Sequence, residues 1–100
     1  NITVGSNVTS IGKSAFEKCT KLKTVTVGKN VTKIGKNAFG GCKNLKTLSI
    51  NTTKLTKKGL ASGSFKGISK KTVVKVPKGK VKAYKKLLQS KGLDKKVKVK

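Results

Sequence analysis

Few of the 100 residues could do chemistry, and their types point away from catalysis. Histidine is absent, Glu17 and Asp94 are the only carboxylates, and all 26 basic residues are lysine. General acid–base work needs titratable groups held close together, and Glu17 and Asp94 fall far apart in the repeat register described below. No nucleophile elbow or phosphate-cradling glycine loop occurs, so the expectation is a chain that is not an enzyme and takes no cofactor. Cys19 and Cys42 stand 23 residues apart with no second pair, which argues against a zinc site. Cysteines one repeat apart could reach disulfide range. Yet Ile68 fills the same slot in the third repeat, so the position asks for an apolar filler and both thiols are expected to be free and inert.

The formal net charge of +24 is a field that attracts polyanions. Phosphate and base recognition usually draws on the arginine fork and on aromatic platforms. Here arginine is missing, and Phe16, Phe39, Phe65 and Tyr84 all fall at positions that read as core. No specific nucleic-acid partner is therefore expected, and a lysine-coated, solvated surface is the plainer reading. Asn-x-Thr sequences at Asn1, Asn7, Asn30 and Asn51 read as turn asparagines beside strands, since Asn7 and Asn30 are equivalent repeat positions.

What must position these residues is a repeat. The apolar pairs Ile2/Val4, Val25/Val27 and Leu48/Ile50 recur every 23 residues, Val74/Val76 follows after 26, and Val97/Val99 after 23 more. Between them Val8–Phe16 matches Val31–Phe39, and Leu22 and Leu45 follow the cysteines at equal distance. A period in this range means a solenoid, because a single repeat cannot bury its own apolar side. The third repeat carries three extra residues within Asn51–Ser64, a stretch rich in Thr, Ser, Gly and Lys that reads as a surface loop. With 34% apolar residues a closed globule would be thin, whereas a solenoid needs only a narrow interior column. There is no apolar run long enough to span a membrane, and a chain opening inside a strand-like segment looks like part of a longer array.

Alternation in Leu22–Val27 points Leu22, Val25 and Val27 inward and Thr24 and Thr26 outward. Stacking then gives an outward column Thr3, Thr26, Ser49, Lys75 and a second column Thr24, Thr47, Val73. Lys23 and Lys46 border them. The candidate contact face is Lys23, Thr24, Thr26, Lys46, Thr47, Ser49 and Lys75, a polar sheet with basic borders. Strands are expected at Ile2–Val4, Val25–Val27, Leu48–Ile50 and Val74–Val76, with a short fifth near Val97–Val99. After Pro77, Val81, Tyr84, Leu87 and Leu88 form the apolar stripe of an amphipathic helix between Gly79 and Gly92, with Lys80, Lys82, Lys85, Lys86 and Lys91 opposite. Its stripe most simply covers the end of the core, which favours a cap over a membrane-surface helix.

The block Ile34-Gly35-Lys36-Asn37-Ala38-Phe39-Gly40-Gly41-Cys42-Lys43-Asn44-Leu45-Lys46-Thr47-Leu48-Ser49-Ile50 closely resembles the BspA-like, or Treponema-type, leucine-rich repeats. Residues 7–50 fit the pattern well and 65–76 loosely. The segment from Val76-Pro77 to Val99 looks like the closing segment of clostridial members. The resemblance implies an α/β repeat, a right-handed leucine-rich-repeat solenoid with a parallel β-sheet, short helical turns and a C-terminal capping helix. Repeats of about 2–24, 25–47 and 48–73 and a cap at 74–100 would make residues 1–100 a single leucine-rich-repeat domain, the C-terminal piece of a longer array. It further implies a surface-exposed or secreted bacterial protein that binds host or bacterial surface macromolecules. The expected function is thus a monomeric, non-enzymatic binding or adhesion module. The alternatives are a structural spacer within a larger surface protein, or a basic nucleic-acid or polyanion binder.

Overall fold

The alternating residues do form strands. A computed structural model describes every residue except Asn1 and Ser6. In chain order it contains β1 (Ile2–Thr3), β2 (Ser10–Ile11), β3 (Thr24–Val27), β4 (Lys33–Ile34), β5 (Thr47–Ile50), β6 (Val73–Lys75), α1 (Val81–Ser90) and β7 (Lys98–Val99). β1, β3, β5, β6 and β7 make one five-stranded sheet in that order, every pair parallel, so each repeat adds one strand beside the last. The inward column reads Ile2, Val25, Leu48, Val74, Val99. Val25, Val27, Leu48 and Val74 are wholly buried, and each such side chain contributes about 1.5–3 kcal/mol.

The last strand corrects the expected spacing. Val74 pairs with Val99, an offset of 25 residues where 23 was expected. Val97 instead lies before the strand, 2% exposed, in the inward slot that Leu22, Leu45 and Thr72 occupy in earlier repeats. Thr72 fits that apolar slot because its hydroxyl donates to the Leu45 carbonyl at 2.6 Å.

A second, two-stranded sheet pairs β2 with β4, placing Ile11 beside Ile34, and a lone bridge continues it from Ile34 to Leu60. The expected short helical turns are not helical. Residues 13–18 and 36–41 run as consecutive turns that hydrogen-bond from one repeat to the next. Ser14, Phe16 and Lys18 N–H donate to Lys36, Ala38 and Gly40 carbonyls at 2.7–2.9 Å, and Phe39 and Gly41 N–H to Ser64 and Lys66. Each of these turns contains left-handed residues at fixed positions: Ser14, Asn37 and Gly63 at one, Lys18, Gly41 and Gly67 at the other. A left-handed residue cannot continue a right-handed helix, and glycine occupies that conformation most cheaply.

Phe39 lies wholly buried between Phe16 (centroids 5.4 Å apart) and Phe65 (5.7 Å), both near-parallel stacks. Phe16 is only half-buried, against the expectation of a core residue, because it packs on a neighbouring ring on one side alone. The Asn51–Ser64 insertion is also more than a surface loop. Thr52, Leu55, Leu60 and Ser64 within it are buried. The Thr52 hydroxyl donates to the Val31 carbonyl at 2.8 Å, and the Ser64 hydroxyl to the Gly35 carbonyl at 3.2 Å, so the polar side chains enter the core satisfied.

Helix α1 is shorter than the interval between Gly79 and Gly92 and buries Tyr84 and Leu88. Leu87 is half-buried and Val81 is 38% exposed, so the apolar stripe is narrower than its sequence suggests. Gly92 ends the helix as expected. At φ +106° it lets Leu93 N–H reach back to the Leu88 carbonyl and its own N–H to Gln89, a Schellman closure with Leu93 buried.

Candidate functional site

Strand pleating decides which residues face outward, and the register decides which of them are neighbours. Thr3, Thr26, Ser49 and Lys75 are direct partners across β1, β3, β5 and β6. Thr24, Thr47 and Val73 form the adjoining column, and Lys98 extends it. Thr24, Thr26, Thr47 and Ser49 are half-buried by their neighbours, whereas Thr3, Lys23, Lys46 and Lys75 are exposed. Every residue of the expected contact face therefore lies on the outward side of one sheet or at its border. Adjacent members sit about 4.8 Å apart across strands.

Two residues escaped the sequence reading. Lys100 N–H donates to the Val74 carbonyl at 2.8 Å and its carbonyl accepts from Val76 N–H at 2.9 Å, which seats Lys100 directly beside Lys75. Lys98 and Lys100 thus join the outward face, both exposed. The signal was present in the alternation Val97-Lys98-Val99-Lys100. The result is a divided surface, with hydroxyls over β1, β3 and β5 and lysines over β6 and β7.

No aromatic ring stands on this face. Phe39, Phe65 and Tyr84 are buried, and Phe16 packs on Phe39. Neither carboxylate lies there either: Glu17 belongs to the turns, and Asp94 lies between α1 and β7, its Oδ1 accepting from Lys96 N–H at 2.8 Å. The lysine charge of the face has no acidic side chain within it.

Only Cys42 takes the expected role of a buried filler; Cys19 does not. Both are free. Cys42 is fully buried and its thiol contacts the Phe16 carbonyl at 3.2 Å; burial, chiefly, pushes its pKa above the ordinary thiol value. A thiol held protonated is a poor nucleophile. Cys19 is half-buried and lines an open hollow of about 490 Å³ with Ile2, Lys18, Thr20, Lys21 and Leu22. That lining offers no general base. Among the described residues no group of three or more His, Cys, Asp or Glu side chains could hold a metal ion, and no helix is long and apolar enough to cross a membrane. Of the Asn-x-Thr asparagines, Asn7 and Asn51 are exposed, Asn30 is half-buried and accepts from Lys54 Nζ at 3.1 Å, and Asn1 lies outside the described residues.

Comparison with known proteins adds one match. The family model described as the BspA type leucine-rich repeat region (6 copies) covers residues 1–96. No curated protein and no solved structure matches the chain.

Proposed function

Because the chain belongs to the BspA-type leucine-rich repeat family, a family of surface and protein-interaction repeats, we propose that it is a non-enzymatic binding module whose contact surface is the outward face of the five-stranded sheet. In this reading Lys23, Thr24, Thr26, Lys46, Thr47, Ser49 and Lys75 meet the partner. The observation that carries it is the in-register alignment of hydroxyl and ammonium groups on one ordered face. Backbone pairing fixes the spacing of their Cα atoms, and the short Thr and Ser side chains have little rotamer freedom to lose at binding.

The reading extends to architecture and place. Residues 1–100 act as one right-handed solenoid unit of three repeats, closed at its C-terminal side by α1 acting as a cap. The module works as a monomer outside a bacterial cell, secreted or held at its surface. The partner is a host or bacterial surface macromolecule, a protein or glycan carrying negative charge. Catalysis has no part in it: the two carboxylates lie on different segments, Glu17 in the turns and Asp94 between α1 and β7.

Paired charge reversals test the face. Lys23→Glu with Lys46→Glu should weaken retention on immobilised heparin more than Lys82→Glu with Lys86→Glu on α1, although both pairs change the net charge equally. Equal losses would mean diffuse attraction by a lysine-coated surface, and the spacer role would then be the better description.

A further inference from the structure

Lys75, Lys98 and Lys100 form the densest part of the outward sheet face, and their chemistry narrows the partner. We infer that this three-lysine corner, with Ser49 beside Lys75, is a docking site for a flexible polyol phosphodiester chain; the inference rests on the sheet face being the contact surface. The Lys100 backbone bonds to Val74 and Val76 seat it beside Lys75, about 4.8 Å away, and Lys100 directly follows β7, two residues and about 6.6 Å from Lys98. All three are exposed, and no acidic side chain shares the face.

Each lysine is a compact point charge on a flexible stem, without the planar fork that reads a fixed anion geometry. Such a site selects for charge spacing rather than shape. A polyol phosphodiester carries one negative charge per short, freely rotating unit, so its charges adapt to ammonium groups 5–7 Å apart. The Ser49 hydroxyl, paired across strands with Lys75, can hydrogen-bond phosphate oxygens or polyol hydroxyls. Single-stranded nucleic acid would want aromatic stacking platforms, and the face has none. A stiff pyranose chain would want the same rings for its C–H faces, and its charges are held at fixed offsets.

The lysines of α1 serve as the internal control. Lys82, Lys85 and Lys86 are also exposed and also close together, but they stand on α1 and not on the strand-paired face of the sheet. If net charge alone drew the polymer, the two clusters would be equivalent.

The experiment titrates poly(glycerol phosphate) into the full chain and two triple variants, Lys75→Gln/Lys98→Gln/Lys100→Gln and Lys82→Gln/Lys85→Gln/Lys86→Gln, with heparin as a second polymer. All these side chains are exposed, and thermal melts should confirm that both variants fold. The sheet variant should lose at least about tenfold in affinity for poly(glycerol phosphate), the helix variant under about threefold. The slope of log affinity against log salt should shrink by about 2 for the sheet variant, about 0.7 per lost phosphate contact. Wild-type protein preferring heparin, with the sheet variant losing both polymers, would overturn the phosphodiester assignment while leaving the sheet face as contact surface. Equal losses from both variants would overturn both.

Discussion

The Tyr84 hydroxyl donates to the Thr52 carbonyl at 2.9 Å and accepts from Leu55 N–H at 3.3 Å, so helix α1 is tied to the inserted segment 32 residues away. Thr52 in turn donates to Val31, which continues the connection into the second repeat. Tyr84→Phe would leave a buried carbonyl and a buried N–H unpaired. It should cost about 1–3 kcal/mol, read by denaturant unfolding. A loss near zero would mean water replaces the hydroxyl.

The same residue supplies a pH signature. Burial raises the Tyr84 pKa above its ordinary 10.0, partly offset by the hydrogen bond from Leu55 N–H. The neutral phenol is the form the fold favours, so its contribution is fully present below the unfolded value and is lost as pH rises through the folded one. Tyr84 is the only tyrosine, so tyrosinate absorbance reports it alone. The native midpoint should lie above 10.0 and return there in denaturant. A native midpoint at or below the denatured one would contradict the burial.

The phenylalanine stack predicts a graded response. Phe39 has a ring on each side, whereas Phe16 has one. Phe39→Ala should cost about 3–5 kcal/mol and Phe16→Ala clearly less. For so small a chain the first change could prevent folding, so the Phe39→Leu melt supplies the comparison. Equal costs at the two positions would deny the one-sided packing of Phe16.

Lys18 holds φ +58° where the later repeats place Gly41 and Gly67. A left-handed conformation costs a side-chain-bearing residue about 1–2 kcal/mol, partly offset by the extra unfolded freedom of glycine. Lys18→Gly should therefore raise stability by about 0.5–1 kcal/mol, seen as an upward shift in Tm. A destabilised variant would show that the Lys18 side chain contributes more than its backbone strain removes.

The two thiols should separate kinetically. Cys19 is half-buried and should react with a thiol reagent in the native protein, while Cys42, buried and kept protonated, should wait for unfolding. The sequence alone suggested that both would be shielded. Repeat equivalence does not carry over to burial when one repeat has a neighbour on one side only. Simultaneous labelling of both would deny the difference.

Much of this was legible because inward and outward residues alternate with period two while the repeat fixes which strands are neighbours. The Thr and Ser columns followed from those two facts. The register of β7 did not, for a related reason: a two-residue slip preserves every inward and outward assignment, so alternation cannot tell an offset of 23 from one of 25. Lys98 and Lys100 were missed for a different reason: the outward columns were carried only as far as Lys75 and Val73, one strand short of them. The buried part of the insertion was hidden by composition, since Thr52 and Ser64 look like loop residues until their hydroxyls are seen bonded to carbonyls of earlier repeats. β2 and β4 are two residues each, too short to show alternation.

The central claim is that binding belongs to one face of the sheet, and amide chemical-shift mapping tests it most directly. On adding a polyanion at physiological salt, shifts should concentrate at 23–26, 46–49, 73–75 and 98–100, with α1 and the turns at 13–18 and 36–41 nearly unmoved. Shifts spread over lysine-bearing segments on every side, or centred on α1, would contradict it.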